Sequence, residues 1–222
     1  MKHVLIIGAS RGLGLELVRQ YCEAGDRVVA TARSDEGLEA LRRLGAKPLR
    51  LDVASVASCA GLAWQIDGEA FDVVVLNAGV FGPRTEGLAA PTAAQFDEVM
   101  HTNVLGPMRL LPQLAEALAP EARLALISSC MGSIGARQSA DGWLYRASKA
   151  ALNSVLKDAS LVLQGRAVCV SLHPGWVRTD MGGADADIDA PTSVAGMRAL
   201  LAGLQPSDNG GFFNYDGQAM AW

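Results

Sequence analysis

Tyr145 and Lys149 stand four residues apart in Tyr145-Arg146-Ala147-Ser148-Lys149, and the run continues as Ala150-Ala151-Leu152-Asn153-Ser154-Val155-Leu156. That stretch is helix-prone, so residues three and four apart share a face and Tyr145, Ser148 and Lys149 point the same way. A free tyrosine titrates at about pH 10 and moves protons poorly at neutrality. A nearby ammonium favours the phenolate, and lowering the pKa by about three units takes roughly 4 kcal/mol of differential interaction. The chemistry open to such a pair is proton transfer, with Tyr145 carrying the proton and Lys149 setting how tightly it is held. A surface helix with a packed tyrosine and a solvated lysine has the same spacing. The reading therefore depends on what stands beside the pair.

A second candidate is the turn Gly8-Ala9-Ser10-Arg11-Gly12-Leu13-Gly14, between an apolar run and a helical pattern. Glycines there let the backbone turn sharply and approach a pyrophosphate, which then lies on the free amides of the helix N-terminus. The spacing is GxxxGxG rather than the general GxGxxG. Gly8-Ala9-Ser10-Arg11-Gly12 also satisfies GxSxG, the elbow of a serine hydrolase, with His173 and Asp180 downstream. That elbow normally follows several strands and its acid precedes its histidine, whereas this turn follows the first strand and Asp180 follows His173. The dinucleotide is the favoured reading. An NAD site carries an acid at the tip of the second strand. Here Ala30-Thr31-Ala32-Arg33 has none, and Arg33 with Arg11 suits a 2′-phosphate by charge and fork geometry. NADP(H) is thus expected in preference to NAD(H), which is still possible, while Asp35 and Glu36 suit the next helix N-terminus.

The elements that must position these residues follow from apolar periodicity. Strands are expected at His3–Ile7, Arg27–Thr31, Pro48–Leu51, Phe71–Leu76, Arg123–Ser128, Ala167–Leu172 and Gly211–Tyr215. Helices are expected over Leu13–Glu23, Gly37–Leu44, Val56–Ile66, Ala93–Leu118, Tyr145–Leu163 and Val194–Leu201, with Pro107 breaking or kinking the fourth. Such alternation predicts an α/β fold, a Rossmann-type doubly wound parallel sheet of about seven strands with helices on both faces. No repeat, linker or low-complexity segment divides the 222 residues, so one domain over 1–222 is expected. Hydrophobic residues make up 50% and charged ones 19%, which excludes a disordered chain. A net charge of −4 without a basic run argues against nucleic acid, and no apolar run is long enough for a membrane span. Cys22, Cys59, Cys130 and Cys169 are scattered, which suits reduced thiols in the cytoplasm. His3, His101 and His173 lack metal-ligand spacing, and Asp185, Asp187 and Asp189 lack the Gly and Glu of a calcium loop, so no metal is expected.

Taken together, the chain resembles the short-chain dehydrogenase/reductase family over nearly its whole length. The glycine turn matches that family's TGxxxGxG with Ile7 in place of Thr, and Leu76-Asn77-Ala78-Gly79 matches its NNAG with Leu in place of the first Asn. Asp52 and Val53 fall where the family approaches the adenine. Asn103 matches the catalytic Asn, Tyr145 and Lys149 match YxxxK, and Pro174, Gly175, Val177 and Thr179 match the segment that holds the nicotinamide amide. Met131-Gly132-Ser133-Ile134 and the closing Gly210-Gly211-Phe212-Phe213-Asn214-Tyr215-Asp216-Gly217 are similar to the C-factor and sniffer-type carbonyl reductase branch.

The resemblance implies hydride transfer between a nicotinamide and a carbonyl or alcohol carbon, with a small-molecule carbonyl or alcohol substrate. Tyr145 would be the acid or base and Lys149 would lower its pKa and reach the nicotinamide ribose. Asn103 would help hold a water, and a serine would hold the substrate oxygen. The family's ISSxxG pattern assigns that serine to Ser129. The stretch from Ser129 to Tyr145 is longer than usual, so Ser133 is a rival, while Ser148 is expected to pack or bond the backbone. Gly135–Leu144 and the Gly- and Asp-rich segment after Thr179 would wall the pocket. By analogy a homodimer, or a homotetramer, is expected. A catalytically weak dinucleotide-sensing or signalling protein on the same fold is the alternative.

Overall fold

The predicted central strands are mostly apolar, so both of their faces must be covered. The computed structural model, described for residues 1–85 and 87–222, covers them. Strands β1 (His3–Ile7), β2 (Arg27–Ala32), β3 (Lys47–Arg50), β4 (Phe71–Leu76), β5 (Leu118–Ile127), β6 (Ala167–His173) and β7 (Gly211–Asn214) form one seven-stranded sheet in the order β3-β2-β1-β4-β5-β6-β7. Every adjacent pair is parallel. Helices α1 (Gly12–Glu23), α2 (Asp35–Arg43) and α8 (Ala190–Gly203) cover one face. Helices α3 (Val56–Ala60), α4 (Leu62–Gln65), α6 (Gly106–Glu116) and α7 (Trp143–Val162) cover the other. Side chains alternate between the two cores along each strand: Val4 and Ile6 join Leu17, Val18 and Met197, whereas Leu5 and Ile7 join Leu62, Leu110 and Leu156. The chain winds outward from β1 in both directions. The ends of β1 and β4 therefore part at a switch point, where such sheets place a ligand.

Local chemistry sets most boundaries. Ser34, Thr92 and Asp189 cap α2, α5 (Ala93–Met100) and α8 by accepting backbone amides, and Thr92 with Gln95 completes a capping box. Three expectations need correction. The helix expected over Val56–Ile66 is two short helices that meet at Gly61. The helix expected over Ala93–Leu118 ends at Glu116, and β5 begins at Leu118 rather than Arg123. It gains that length through an irregularity, with Glu121 at φ 58 and a register shift opposite Phe71 and Val73. Pro107 does not break its helix. The disturbance precedes it as a π-helical turn, His101–Leu105, which joins α5 to α6. Residue 107 has no N–H to return to the Asn103 carbonyl, and the wider turn absorbs that lost bond.

Candidate active site

The site begins where β1 ends. Gly8 has φ +85, and a Cβ there would sit 2.6 Å from the Ala78 Cα. The Gly8 amide donates to the Thr31 hydroxyl at 2.9 Å, and Asn77 Nδ2 donates to the Gly8 carbonyl at 2.6 Å. The ends of β1, β2 and β4 thereby lock the turn together. Gly14 packs beneath it, where a Cβ would lie 2.2 Å from the Gly8 carbonyl oxygen. Arg11, at the N-cap of α1, offers no side-chain acceptor, so the first amides of a 12-residue helix face the turn uncapped. Glycines that admit no Cβ and free amides at a helix N-terminus fit a dinucleotide pyrophosphate.

From this turn a cleft runs along the sheet's C-terminal edge. Gly8, Ser10, Arg11, Gly12, Leu13 and Arg33 line one end. Asp52, Val53, Asn77, Ala78 and Gly79 line its floor, and Tyr145, Lys149, Pro174 and Thr179 close the other end. Three expected cofactor residues lie outside it. Gly14 serves packing beneath the turn. Gly175, at φ +84, turns where a Cβ would meet Ile188 and Tyr215, and buried Val177 bridges Ile188. The cleft also contains Ser128, Ile127, Val80 and Thr102, which the sequence reading did not assign to it, and Asp180 and Met181, which open the segment expected to wall the pocket. Asp180 reaches Arg11 at 3.2 Å across 169 positions, which no local pattern announces.

The proposed chemical group gathers at the Tyr145 end. Tyr145 is 7% exposed, Lys149 3% and Asn103 0%. Lys149 Nζ donates to the Ile127 carbonyl at 2.8 Å and lies 5.6 Å from the centre of the Tyr145 ring. The Asn103 side chain is fully committed: Oδ1 accepts from the Val80 amide, and Nδ2 donates to the Val80 carbonyl and to Ser148 Oγ. Ser148 Oγ in turn donates to the Tyr145 carbonyl at 2.8 Å, in keeping with a backbone-bonding role. The two candidate serines part company. Ser129 accepts from the Met131 amide and hydrogen-bonds Tyr145, whereas buried Ser133 donates to the Trp222 carbonyl and accepts from the Ala136 amide.

The electrostatics differ from the sequence expectation. Burial pushes the Tyr145 phenol up to about 12, against the hydrogen bond with Ser129. Burial also pulls the Lys149 ammonium down to about 8. Desolvation disfavours both charged forms and outweighs the attraction that the spacing suggested.

Lys149 should therefore leave its mark on stability. Unfolded, it holds its proton to about 10.5; folded, only to about 8, so between these values the unfolded state binds more protons and stability rises with pH. Tyr145 acts in the opposite sense between about 10 and 12, and the buried Cys169 thiol, raised from 9.0 to about 12, does so above 9. Urea unfolding of cofactor-free protein at pH 8 and pH 9 should show wild type gaining about 1 kcal/mol relative to Lys149→Met. Equal changes in both proteins would mean that Lys149 is not held desolvated.

The hydrolase alternative does not assemble, because Asp180 engages Arg11 and the charge felt by half-buried His173 is that of Asp216. Asp189 of the acidic segment caps α8 through the Thr192 amide. Among the described residues no helix is long and apolar enough to cross a membrane.

Comparison with known proteins bears on the whole chain. A family model described as short chain dehydrogenase matches residues 2–188. C-signal from Myxococcus xanthus is 41% identical over 154 residues, covering 68% of this chain and 92% of that protein. Among solved structures, the carbonyl reductase Sniffer of D. melanogaster superposes with TM-score 0.89 at 33% identity, covering 100% of both chains. NADPH-bound carbonyl reductase from chicken fatty liver superposes with TM-score 0.86 at 30% identity, covering 100% of this chain and 99% of the other.

Proposed function

The chain belongs to the short-chain dehydrogenase family, and from that premise we propose that it is an NADP(H)-dependent carbonyl reductase. The observation that carries the proposal is one cleft with an uncapped glycine turn at one end and Tyr145 and Lys149 lining the other, with Ser129 beside Tyr145 just outside the lining. The reduced nicotinamide supplies the hydride, a chemistry that belongs to the cofactor. The chain's own residues do the rest. The Ser129 hydroxyl holds the carbonyl oxygen and polarises it. Tyr145 delivers its proton to that oxygen as the carbon is reduced. A phenol raised to about 12 is protonated at neutral pH, the form in which it can give a proton to the carbonyl oxygen. Lys149 would hold the ribose hydroxyls of a bound cofactor, and its ammonium would stabilise the phenolate left behind. The Asn103 side chain is spent on Val80 and Ser148, so a water on the proton path would be held by its carbonyl, denied the usual helical bond by Pro107. Four such residues in place argue against a sensor that has lost its chemistry.

For the cofactor, a hollow beside the glycine turn is bordered by Ser10, Arg11, Arg33, Ser34, Glu36 and Gly37. The nearby acids are engaged elsewhere: Asp35 pairs with Arg50, and the Glu36 carboxyl is lowered by its own backbone amide and by Ser34. Arg33 makes no ion pair among the described residues, which suits a 2′-phosphate. Arg33→Ala should cut the preference for NADPH over NADH by about tenfold or more, mainly through KM for NADPH. An unaltered preference in steady-state NADPH and NADH titrations would remove Arg33 from the phosphate site.

A further inference from the structure

Beyond Gly79 the segment after β4 carries no recognised motif, yet it is stitched across Tyr145. Asn103 holds its root at Val80 through two hydrogen bonds of 2.8 Å. One residue on, the Phe81 ring lies on the Tyr145 ring, with centroids 4.5 Å apart and planes 23° from parallel. The Arg84 guanidinium lies over the same Phe81 ring at 4.8 Å, and its Nη2 donates to the Met181 carbonyl at 2.9 Å. A guanidinium manages both because its donors lie in its plane and its face is free to stack. The Ala89 carbonyl accepts from Trp143 Nε1 at 3.1 Å, which ties the far end of the segment to the start of α7. Gly142 is left-handed at φ +64, and a Cβ there would come within 3.1 Å of Phe81 Cζ, so the approach of the two segments requires glycine.

These contacts form one line, from Tyr145 through Phe81 and Arg84 to Met181, which itself lines the cleft. A side chain that only walled a pocket would need neither the stacked cation nor its tie across the mouth. The geometry of proton transfer gives the line its meaning. A tilt of the Tyr145 ring by about 10° carries its hydroxyl roughly 1 Å, and a misplacement of that size costs on the order of 10²-fold in rate. We infer that Phe81 and Arg84 are positioning residues for the proposed reduction: Phe81 fixes the plane of the Tyr145 ring, and Arg84 fixes Phe81 against the Met181 segment. The inference rests on the carbonyl-reductase reading above.

Steady-state kinetics of the full chain test it, with NADPH and whichever carbonyl of an aldehyde and ketone panel wild type reduces fastest. Phe81→Leu keeps apolar volume but loses the flat ring, and should lower kcat about thirtyfold. The carbonyl KM, and the NADPH Kd from fluorescence titration, should stay within about threefold. Arg84→Ala, on the exposed side, should lower kcat about tenfold, and the double variant should fall no further than Phe81→Leu, because both act through Tyr145. Phe81→His, assayed at pH 8 where the ring is neutral and still flat, should recover most of the loss. A rise in KM with kcat unchanged would make Phe81 a pocket wall and overturn the inference. So would losses that multiply in the double variant, or NADPH affinity that falls in step with kcat. If wild type reduces carbonyls and neither variant slows it, this inference fails alone. If wild type reduces none, the carbonyl-reductase reading fails and takes the inference with it.

Discussion

Tyr145→Phe should leave a folded protein that binds NADPH about as wild type does, with kcat/KM for carbonyl reduction lower by on the order of 10³-fold. The change removes one oxygen. The ring stays, and with it the stack on Phe81 at 4.5 Å and the packing of a residue only 7% exposed. What goes is the proton that burial holds on the phenol up to about 12, and the partner of the Ser129 hydroxyl. A 10³-fold loss corresponds to about 4 kcal/mol of transition-state stabilisation, within the range of a single positioned acid. The measurement is NADPH consumption against an aldehyde and ketone panel, with cofactor affinity and thermal unfolding followed in parallel. Activity within tenfold of wild type, with binding intact, would show that the proton comes from elsewhere.

Gly14→Ala should be the most damaging small change at the cofactor end. Its Cβ would be built 2.2 Å from the Gly8 carbonyl oxygen, 2.7 Å from Asn77 Nδ2 and 2.8 Å from the Ala9 Cα. Two of these neighbours are backbone, and the third is the amide that clamps the turn through a 2.6 Å hydrogen bond. None can swing aside. The helix must back away from the sheet, which breaks the Asn77 clasp and moves the free amides of α1. We expect a loss of about 3 kcal/mol in stability and an NADPH affinity at least about tenfold weaker. Gly45→Ala is the control for any glycine loss, since that residue has φ +89 and nothing within 4 Å of the added carbon. It should lose stability through backbone strain alone and keep its affinity. Should Gly14→Ala melt with wild type and bind NADPH equally well, the close packing of α1 on the turn is not what shapes the site.

The Tyr145–Lys149 pair, the turn and the sheet are largely local facts, and they were legible in the residues. His3–Ile7 and Phe71–Leu76 are runs with no polar face, so they are buried strands wherever they lie, and the structure places both at the centre of the sheet. Spacing also places Tyr145 above Lys149, because α-helical periodicity is indifferent to the rest of the chain. Errors arose where a local rule met a tertiary constraint. Pro107 was expected to break or kink its helix, and the interruption takes the form of the π turn at His101–Leu105, which absorbs the missing donor. Lys149 was expected to lower the Tyr145 pKa, an effect that spacing suggests and that burial overrides.

What the amino-acid order determined by itself is the alternation of strand and helix, the glycine turn after β1, and the placing of Tyr145 and Lys149 on one helix face. Only the tertiary structure separates the surroundings of Ser129 and Ser133, because a connection of eleven residues or more could bring either one to Tyr145, and the fold commits Ser133 to the Trp222 carbonyl. It alone committed the Asn103 side chain to Val80 and showed Phe81 and Arg84 drawn over Tyr145. The physical reason is the same in each case. Hydrogen bonding, stacking and desolvation act through space over a few ångströms. These partners lie as much as 97 positions apart in the chain, as Arg84 and Met181 do, where no periodicity connects them.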